Sequence, residues 1–149
     1  MRDDTSAIGR WISILYRYRQ NYLGKRLDPY NIGSGQYFFL LVLAKKNGIS
    51  QEELSDYLKI DKATTAKALK KLEDEGYVSR VVDTTDKRAY QVFITFKGLE
   101  VIPVIKKFIE EWERLITVGL SESESLLIEG HLEKMAQNAC RLKEMGCVV

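Results

Sequence analysis

Residues 50–98 read SQEELSDYLKIDKATTAKALKKLEDEGYVSRVVDTTDKRAYQVFITFKG, and they contain two closely spaced helix signals. The first signal is a capping box, in which the Ser50 side chain caps a helix and the Glu53 side chain reaches back to the Ser50 backbone. Leu54, Tyr57 and Leu58 then recur at helical spacing, which gives a short helix one apolar face. The sequence therefore predicts a short helix that begins just after Ser50.

The second signal follows after a tight connection. Asp61 is a good N-cap, and the helix that it begins is predicted to run from Lys62 to about Glu75. Gly76 is suited to end this helix, because glycine adopts the left-handed backbone conformation without steric cost. At about 100° per residue, four side chains share the face that should meet the core. They are Thr65, Ala68, Leu69 and Leu72.

The hydrophobic period changes after this helix. Residues 77–82 and 90–95 are rich in β-branched and aromatic side chains, whereas residues 83–88 are polar and turn-like. This pattern predicts a β-hairpin. Two helices joined by a tight turn and followed by a hairpin describe a winged helix-turn-helix. The predicted fold class is therefore mainly α, with a small β-hairpin wing.

The exposed face of the second helix carries small and basic side chains in its first turns, whereas acids crowd its C-terminal end at residues 73–75. In the major groove of DNA, lysine can donate to guanine acceptors, and threonine or alanine can meet a thymine methyl group. Because phosphates repel acids, only the N-terminal part of the helix should insert. An isolated lysine-bearing helix face is usually no more than a solvated surface, but its place before a basic hairpin favours DNA binding.

Helical patterns also precede this motif. Apolar residues at helical spacing predict a first helix that is capped by Asp4 or Thr5, and residues 24–35 read as a loop. Residues 36–46 are apolar on nearly all sides, so periodicity does not separate a buried helix from a buried strand.

Two further helices are predicted after the hairpin. Thr95 is a candidate N-cap for the first of them, and Pro103 falls inside it, where we expect a kink or a late start. Ser121 and Glu124 form a second capping box. Apolar residues then recur at alternating spacings of four and three, which suits packing against another helix. This apolar seam consists of Ile128, Leu132, Met135, Ala139 and Leu142.

The composition fits one globular domain, because 45% of the 149 residues are hydrophobic and 30% are charged. The net charge of +2 excludes a polybasic protein that binds nucleic acid through bulk charge. The charge is unevenly distributed, however. Residues 59–97 hold nine Lys and Arg against six Asp and Glu (net +3), and residues 98–149 hold six against nine (net −3). The predicted helix-turn-helix and wing are thus locally basic.

Several classes of protein are disfavoured. No apolar run approaches the ~20 residues that span a bilayer, and the N-terminus does not resemble a signal peptide, so we expect a cytoplasmic protein without a membrane partner. His131 is the only histidine, and we predict neither a metal site nor a cofactor. No catalytic triad, glycine-rich phosphate loop or dinucleotide fingerprint occurs, so we predict no catalytic residues and no enzyme.

Residues 86–98, DKRAYQVFITFKG, match the pattern D-x-R-x-x-x-V-x-[LI]-T-x-x-G without a gap. Residues 60–64 and 72–80 are similar to the recognition helix and helix exit that accompany this pattern. With these motifs the chain resembles the MarR family of bacterial and archaeal transcription regulators. The resemblance covers nearly the whole chain, since the flanking helices and the length also fit.

The resemblance implies a single MarR-type domain over residues 1–149. Its winged helix-turn-helix spans about residues 33–97, and residues 36–46 should be helical. Helices at about residues 5–24 and 98–146 should form the interface of a homodimer. Packing inside the monomer is the alternative for the apolar seam of the last helix. A two-fold dimer predicts a palindromic operator in double-stranded DNA, and regulators of this family are most often repressors.

The resemblance also implies that Arg88 enters the minor groove from the tip of the wing and that Asp86 orients it. An arginine in a narrow groove reads shape and potential more than base identity. An exposed ion pair of little energetic value is the alternative for these two residues. The residues predicted to bind DNA are Ser50, Gln51, Lys62, Ala63, Thr64, Ala66, Lys67, Lys70, Lys71, Asp86, Lys87 and Arg88.

Regulators of this family commonly respond to small phenolic anions. Trp11, Arg17 and Tyr37 are predicted to border such a site, since aromatic walls and one cation suit an aromatic carboxylate. The alternative is that Trp11 and Tyr37 belong to the core and that Arg17 is solvated. Two other functions stay open: a redox-responsive regulator that uses Cys140 and Cys147, and a winged-helix module that binds only proteins. If one helix carried both cysteines, they would lie about 10 Å apart along its axis, too far for a disulfide without unwinding.

Overall fold

A computed structural model describes residues 7–86 and 89–146. Its helices are α1 (Ala7–Leu27), α2 (Tyr37–Lys45), α3 (Gln51–Leu58), α4 (Lys62–Asp74), α5 (Phe96–Ile116) and α6 (Glu122–Glu144), and its strands are β1 (Val78–Val82) and β2 (Tyr90–Ile94). The mainly helical fold with a two-stranded wing is as predicted.

The chain divides after Trp112 into two compact units. Among the helices described, none combines the length and apolar character that a membrane span requires.

The core of the first unit surrounds α2. Tyr37, Phe39, Leu40 and Leu43 are buried, and Phe38, Leu41 and Val42 are partly buried against the same core. Contact on nearly every side explains why its sequence has no polar face. The ambiguity over residues 36–46 is resolved in favour of a helix, as the family resemblance implied.

Both helices of the helix-turn-helix begin at the predicted caps. The Ser50 Oγ accepts a hydrogen bond from the Glu53 N–H (3.1 Å), and the Ser50 N–H donates to the Glu53 carboxylate (3.0 Å). Asp61 accepts a hydrogen bond from the Thr64 N–H at 2.8 Å. Gly76 follows the end of α4 with φ +78°, in the left-handed region predicted for it.

The wing pairs with a third segment as well as with itself. In the antiparallel hairpin, Arg80 lies opposite Val92. On its other edge β2 meets the chain just before α3, where the Gly48 N–H donates to the Val92 carbonyl and the Val92 N–H donates to the Ile49 carbonyl, both at 2.9 Å. The wing is therefore attached by its backbone to the entry of the helix-turn-helix.

The junction between the wing and α5 is tightly packed. The Thr95 Oγ1 accepts from the Gly98 N–H at 3.1 Å, which confirms Thr95 as the N-cap, and it donates to the Gly76 carbonyl at 2.6 Å. A Cβ atom on Gly98 would lie 2.4 Å from the Tyr77 carbonyl oxygen. The threonine and glycine of the T-x-x-G motif thus have a structural purpose.

One predicted helix end was wrong. The loop predicted from Gly24 begins later, because α1 continues to Leu27 and a 3-10 turn covers Asp28–Tyr30. Burial of Leu23 and Leu27, one turn apart, favours the continued helix. At Pro103 a kink or a late start of α5 was expected. The late start does not occur, because the helix begins at Phe96 and continues through Pro103, whose side chain is exposed.

The second unit contains α6, whose predicted capping box is present. The Ser121 Oγ accepts from the Glu124 N–H at 3.1 Å, and the Ser121 N–H donates to the Glu124 carboxylate at 2.7 Å. None of the residues of α6 is buried within the chain. Its apolar seam is therefore exposed in the single protomer.

Replacement of Gly98 by alanine should lower the free energy of unfolding by about 1–3 kcal/mol, because the new methyl group meets a backbone carbonyl that cannot move alone. Gly35→Ala is the matched control. No atom lies within 4 Å of a Cβ built at Gly35, and its φ is not positive, so its effect should stay within about 0.5 kcal/mol. Urea unfolding of both variants gives the comparison, and equal stabilities would contradict the packing account.

Candidate nucleic-acid interface

The α4 helix presents the predicted face to solvent. Thr65, Ala68, Leu69 and Leu72 are buried, as the helical wheel predicted. Of the α4 residues predicted to contact DNA, six are exposed and Ala66 is half-buried. The six are Lys62, Ala63, Thr64, Lys67, Lys70 and Lys71.

Two of these lysines are held in ion pairs. The Lys62 Nζ lies 2.9 Å from the Glu52 Oε1, and the Lys70 Nζ lies 2.6 Å from the Asp74 Oδ1. In each pair the hydrogen bond to the carboxylate raises the pKa of the lysine. Lys67 and Lys71 have no carboxylate within 4.0 Å among the residues described. The positive charge of this face is thus partly compensated before any DNA arrives.

Arg80 joins the wing to both helices of the motif. Its guanidinium Nε and Nη2 donate to the two carboxylate oxygens of Glu73 on α4, at 3.4 and 3.2 Å. Its Nη1 donates to the Gln51 Oε1 on α3 at 3.3 Å, and its Cζ lies 4.9 Å from the Tyr90 ring centroid. The side chain is only 13% exposed. One arginine on β1 therefore fixes the angle between the wing and α4.

These contacts explain the acids at the C-terminal end of α4. Glu73 binds Arg80, and Asp74 binds Lys70. The unfavourable placement of acids near the negative end of the helix dipole is offset by Lys97, whose Nζ donates to the Glu75 carbonyl at 2.6 Å. The Arg80 contacts were missed by sequence reasoning, because the partners come from three elements whose packing no local pattern gives.

Asp83 organises the turn of the wing. Its Oδ1 accepts from the Thr85 N–H (2.8 Å) and the Thr85 hydroxyl (2.6 Å), and its own N–H donates to the Ala89 carbonyl. The hydrogen bond from the Thr85 hydroxyl, above all, lowers the pKa of Asp83. Sequence reasoning missed this role, although aspartate at the start of a polar turn is a recognisable signal. Asp86 is exposed in this turn.

Other predicted contacts have different outcomes. Lys87 and Arg88 lie outside the described residues, so the structure does not place them. Ser50 and Gln51 are half-buried and already engaged, Ser50 in the helix cap and Gln51 with Arg80. They border the exposed face of α4 without being free surface groups.

The three predicted ligand-binding residues have dissimilar surroundings. Tyr37 is 2% exposed and belongs to the core, and the Arg19 guanidinium lies 5.5 Å from the centroid of its ring. Trp11 is 57% exposed. Arg17 donates to the Ser13 hydroxyl one turn earlier on α1, at 2.8 Å. Tyr37 is therefore a core residue, which is the alternative to a place in the ligand site.

Comparisons with known proteins agree with this arrangement. The model of the MarR family matches residues 30–89. The HTH-type transcriptional regulator BilQ of Clostridioides difficile (strain CD3) is 34% identical over 103 residues, which cover 69% of this chain and 70% of that protein. The crystal structure of a MarR transcriptional regulator from Methanosarcina mazei Go1 is 49% identical and has a TM-score of 0.84 over 91% of this chain and 97% of that one.

A further solved structure contains nucleic acid. It is that of a putative MarR family transcriptional regulator from Listeria monocytogenes, complexed with a 26mer DNA. The two chains are 28% identical and align with a TM-score of 0.82, over 90% of this chain and 89% of the other. The fold described above is therefore shared with a regulator whose structure includes DNA.

Replacement of Arg80 by glutamine should destabilise the protein by about 1–2 kcal/mol at neutral pH, because Glu73 keeps its charge and loses its partner. Since Arg80 lowers the pKa of Glu73, the pair stabilises the folded state above the ordinary pKa of glutamate. This contribution is lost as the pH falls through the lowered pKa. The difference in unfolding free energy between the two proteins should therefore shrink in acid.

Lys71→Gln provides the control for that experiment, since it removes one positive charge from α4 where no described carboxylate is paired with it. The unfolding free energy of this variant should differ little from that of the unaltered protein over the same pH range. Denaturant unfolding at several pH values measures both. A pH-independent effect of Arg80→Gln would refute the assigned pairing with Glu73.

Proposed function

Because the chain belongs to the MarR family of DNA-binding transcriptional regulators, which are not enzymes, we propose that it is a sequence-specific regulator that acts as a homodimer on a palindromic operator. The observation that carries this proposal is the exposed basic face of α4, fixed beside the wing by Arg80. We further propose that it acts in the cytoplasm as a repressor, by occupying the DNA that the transcription machinery needs.

The N-terminal half of α4 is the part that suits the major groove. Ala63 and Thr64 are exposed and small, so the helix backbone can approach the base edges closely. Lys67 lies one turn further along, exposed and without a described carboxylate beside it. The acids of residues 73–75 follow at the far end, where repulsion by phosphate limits the depth of insertion. The helix thus has a preferred end for DNA.

The wing supplies a second contact in this proposal. Asp83 and Thr85 shape the turn, and Asp86 to Arg88 continue from it. Since β2 is attached to the entry of α3, the strands of the wing and the start of the helix-turn-helix are held side by side. We assign to Arg88 a place in the minor groove, where a narrow groove concentrates negative potential.

Dimerisation is supported by apolar surface that a single protomer leaves in water. On α1, Ile8 and Trp11 are 59% and 57% exposed, and on α6 the seam residues Ile128 and Leu132 are 44% and 47% exposed. Several large apolar side chains left exposed on one helix commonly mark an interface. One recognition helix contacts too few base pairs for specificity in a genome. A second copy of the chain doubles the number of base pairs that are contacted.

Release by a small aromatic anion is a separate part of the proposal. Exposed Trp11 and the Arg17 guanidinium on α1 offer an aromatic surface and a cation, whereas buried Tyr37 contributes no open wall. Titration of the protein–operator complex with salicylate, followed by fluorescence anisotropy, tests this part. Unchanged operator affinity at saturating salicylate would argue against it.

Two alternatives have less support. Cys140 is a half-buried free thiol on α6, and Cys147 lies outside the described residues, so no cysteine pair is shown. A protein-interaction module without DNA binding would leave the basic face of α4 unused. Selection of bound duplexes from a random DNA pool decides between these functions. A recovered palindrome, bound with steep salt dependence, supports the proposal, whereas salt-independent or absent enrichment opposes it.

Arg88→Ala should weaken binding to the selected operator by about five- to a hundredfold, or about 1–3 kcal/mol, because one groove contact is lost. Sedimentation should show an unchanged dimer, since the wing lies outside the proposed interface. Lys106→Ala removes one positive charge from the exposed side of α5 and is the control, with little expected effect. Equal operator affinities for both variants would remove Arg88 from the interface.

A further inference from the structure

An ion pair on the protein surface crosses the turn of the helix-turn-helix. Lys62 is the first residue of α4 and Glu52 is the second residue of α3, and their Nζ and Oε1 atoms lie 2.9 Å apart. Their side chains are 75% and 68% exposed, so the pair lies on the surface and is open to a competing charge. It differs from the Lys70–Asp74 pair, which lies within one helix near its acidic end.

The surroundings of Lys62 are more acidic than the net charge of the motif suggests. A groove between the start of α3, the start of α4 and the wing is lined by Glu52, Lys62 and Asp86, together with Gln51, Ala89 and Tyr90. The pKa of Lys62 is raised by the hydrogen bond to Glu52 and the charge of Glu52, and more weakly by the charge of Asp56. A phosphate that enters this groove therefore meets an ammonium group that already has a partner.

This arrangement affects non-specific and specific DNA differently. Non-specific binding depends on cations that neutralise phosphates and release counterions. Lys62 contributes little to that exchange while Glu52 holds it, and the Glu52 carboxylate repels the phosphate. A guanine presented at the correct position offers Lys62 two acceptors in place of the carboxylate. The ion pair thus lowers the affinity for all DNA. It lowers the affinity least for a sequence whose guanine can take the place of the Glu52 carboxylate.

We propose that Glu52 is a specificity-determining residue that holds Lys62 in the unbound protein and so weakens binding to non-operator DNA more than binding to the operator. The proposal rests on the proposed contact of α4 with DNA. Glu52, in the first turn of α3, would thus act by lowering the affinity for DNA. The capping box of α3 does not use Glu52, because Glu53 closes it.

The test compares Glu52→Gln with Glu110→Gln, which removes the same charge from an exposed position on α5. Fluorescence anisotropy gives the dissociation constants for a selected operator and for a scrambled duplex of equal composition, at several salt concentrations. Glu52→Gln should tighten binding to the scrambled duplex about two- to fivefold, as expected for one exposed ion pair. The slope of log K against log salt should steepen by about 0.9, and the ratio of operator to scrambled affinity should fall.

A double-mutant cycle identifies the partner. In a Lys62→Gln background, Glu52→Gln should have no greater effect than Glu110→Gln, because the group it restrains is gone. Circular dichroism checks that α3 stays folded in each variant. An equal effect of the two glutamate replacements, or an effect of Glu52→Gln that persists without Lys62, would overturn this proposal alone. Absence of salt-dependent DNA binding by the unaltered protein would overturn the proposed function as well.

Discussion

The structure depends on the backbone pairing of Val92 with the chain that enters α3. Val92 is fully buried in the middle of β2, and its N–H and carbonyl bond to Ile49 and Gly48. A two-stranded hairpin is marginally stable alone in water, so this third segment makes the wing a fixed element. Since α3 begins immediately after that segment, the position of the wing and the position of the helix-turn-helix are set by the same hydrogen bonds. Arg80 then reinforces the arrangement through side chains, on the opposite edge of the hairpin.

Local sequence signals predicted those elements whose ends are determined by their own residues. Caps at Ser50 and Asp61 and the left-handed Gly76 are of this kind, because each satisfies backbone groups within a few positions. The continued α1 could not be predicted, since Gly24 resembles a loop residue until burial of Leu23 and Leu27 is known. Tertiary burial outweighs weak local propensity at such places.

The sequence predicted which face of α4 is exposed. It did not predict which carboxylates pair with the basic residues of the candidate interface. The side of α4 that meets the core followed from spacing alone, whereas the partners of its lysines depend on neighbouring elements. Glu52 lies ten residues before Lys62, and Glu73 lies seven residues before Arg80. Neither separation is a helical period within one element, so no wheel or strand pattern pairs them. Counting charge along the chain therefore overestimated how much of the basic surface is uncompensated.

This compensation gives a physical reason for a regulator to be nearly neutral. A net charge of +2 limits attraction to the phosphates of random DNA, which outnumber any operator greatly. Occupied lysines extend that limitation to the contact face, because each ion pair must open before its lysine can contribute. In the proposed two-fold dimer both copies of every pair would open, so the free-energy cost would arise twice per complex. The ion pairs lower the affinity for DNA except where the bases offer the lysines better acceptors. Discrimination between operator and other DNA therefore increases as the general attraction to phosphates decreases.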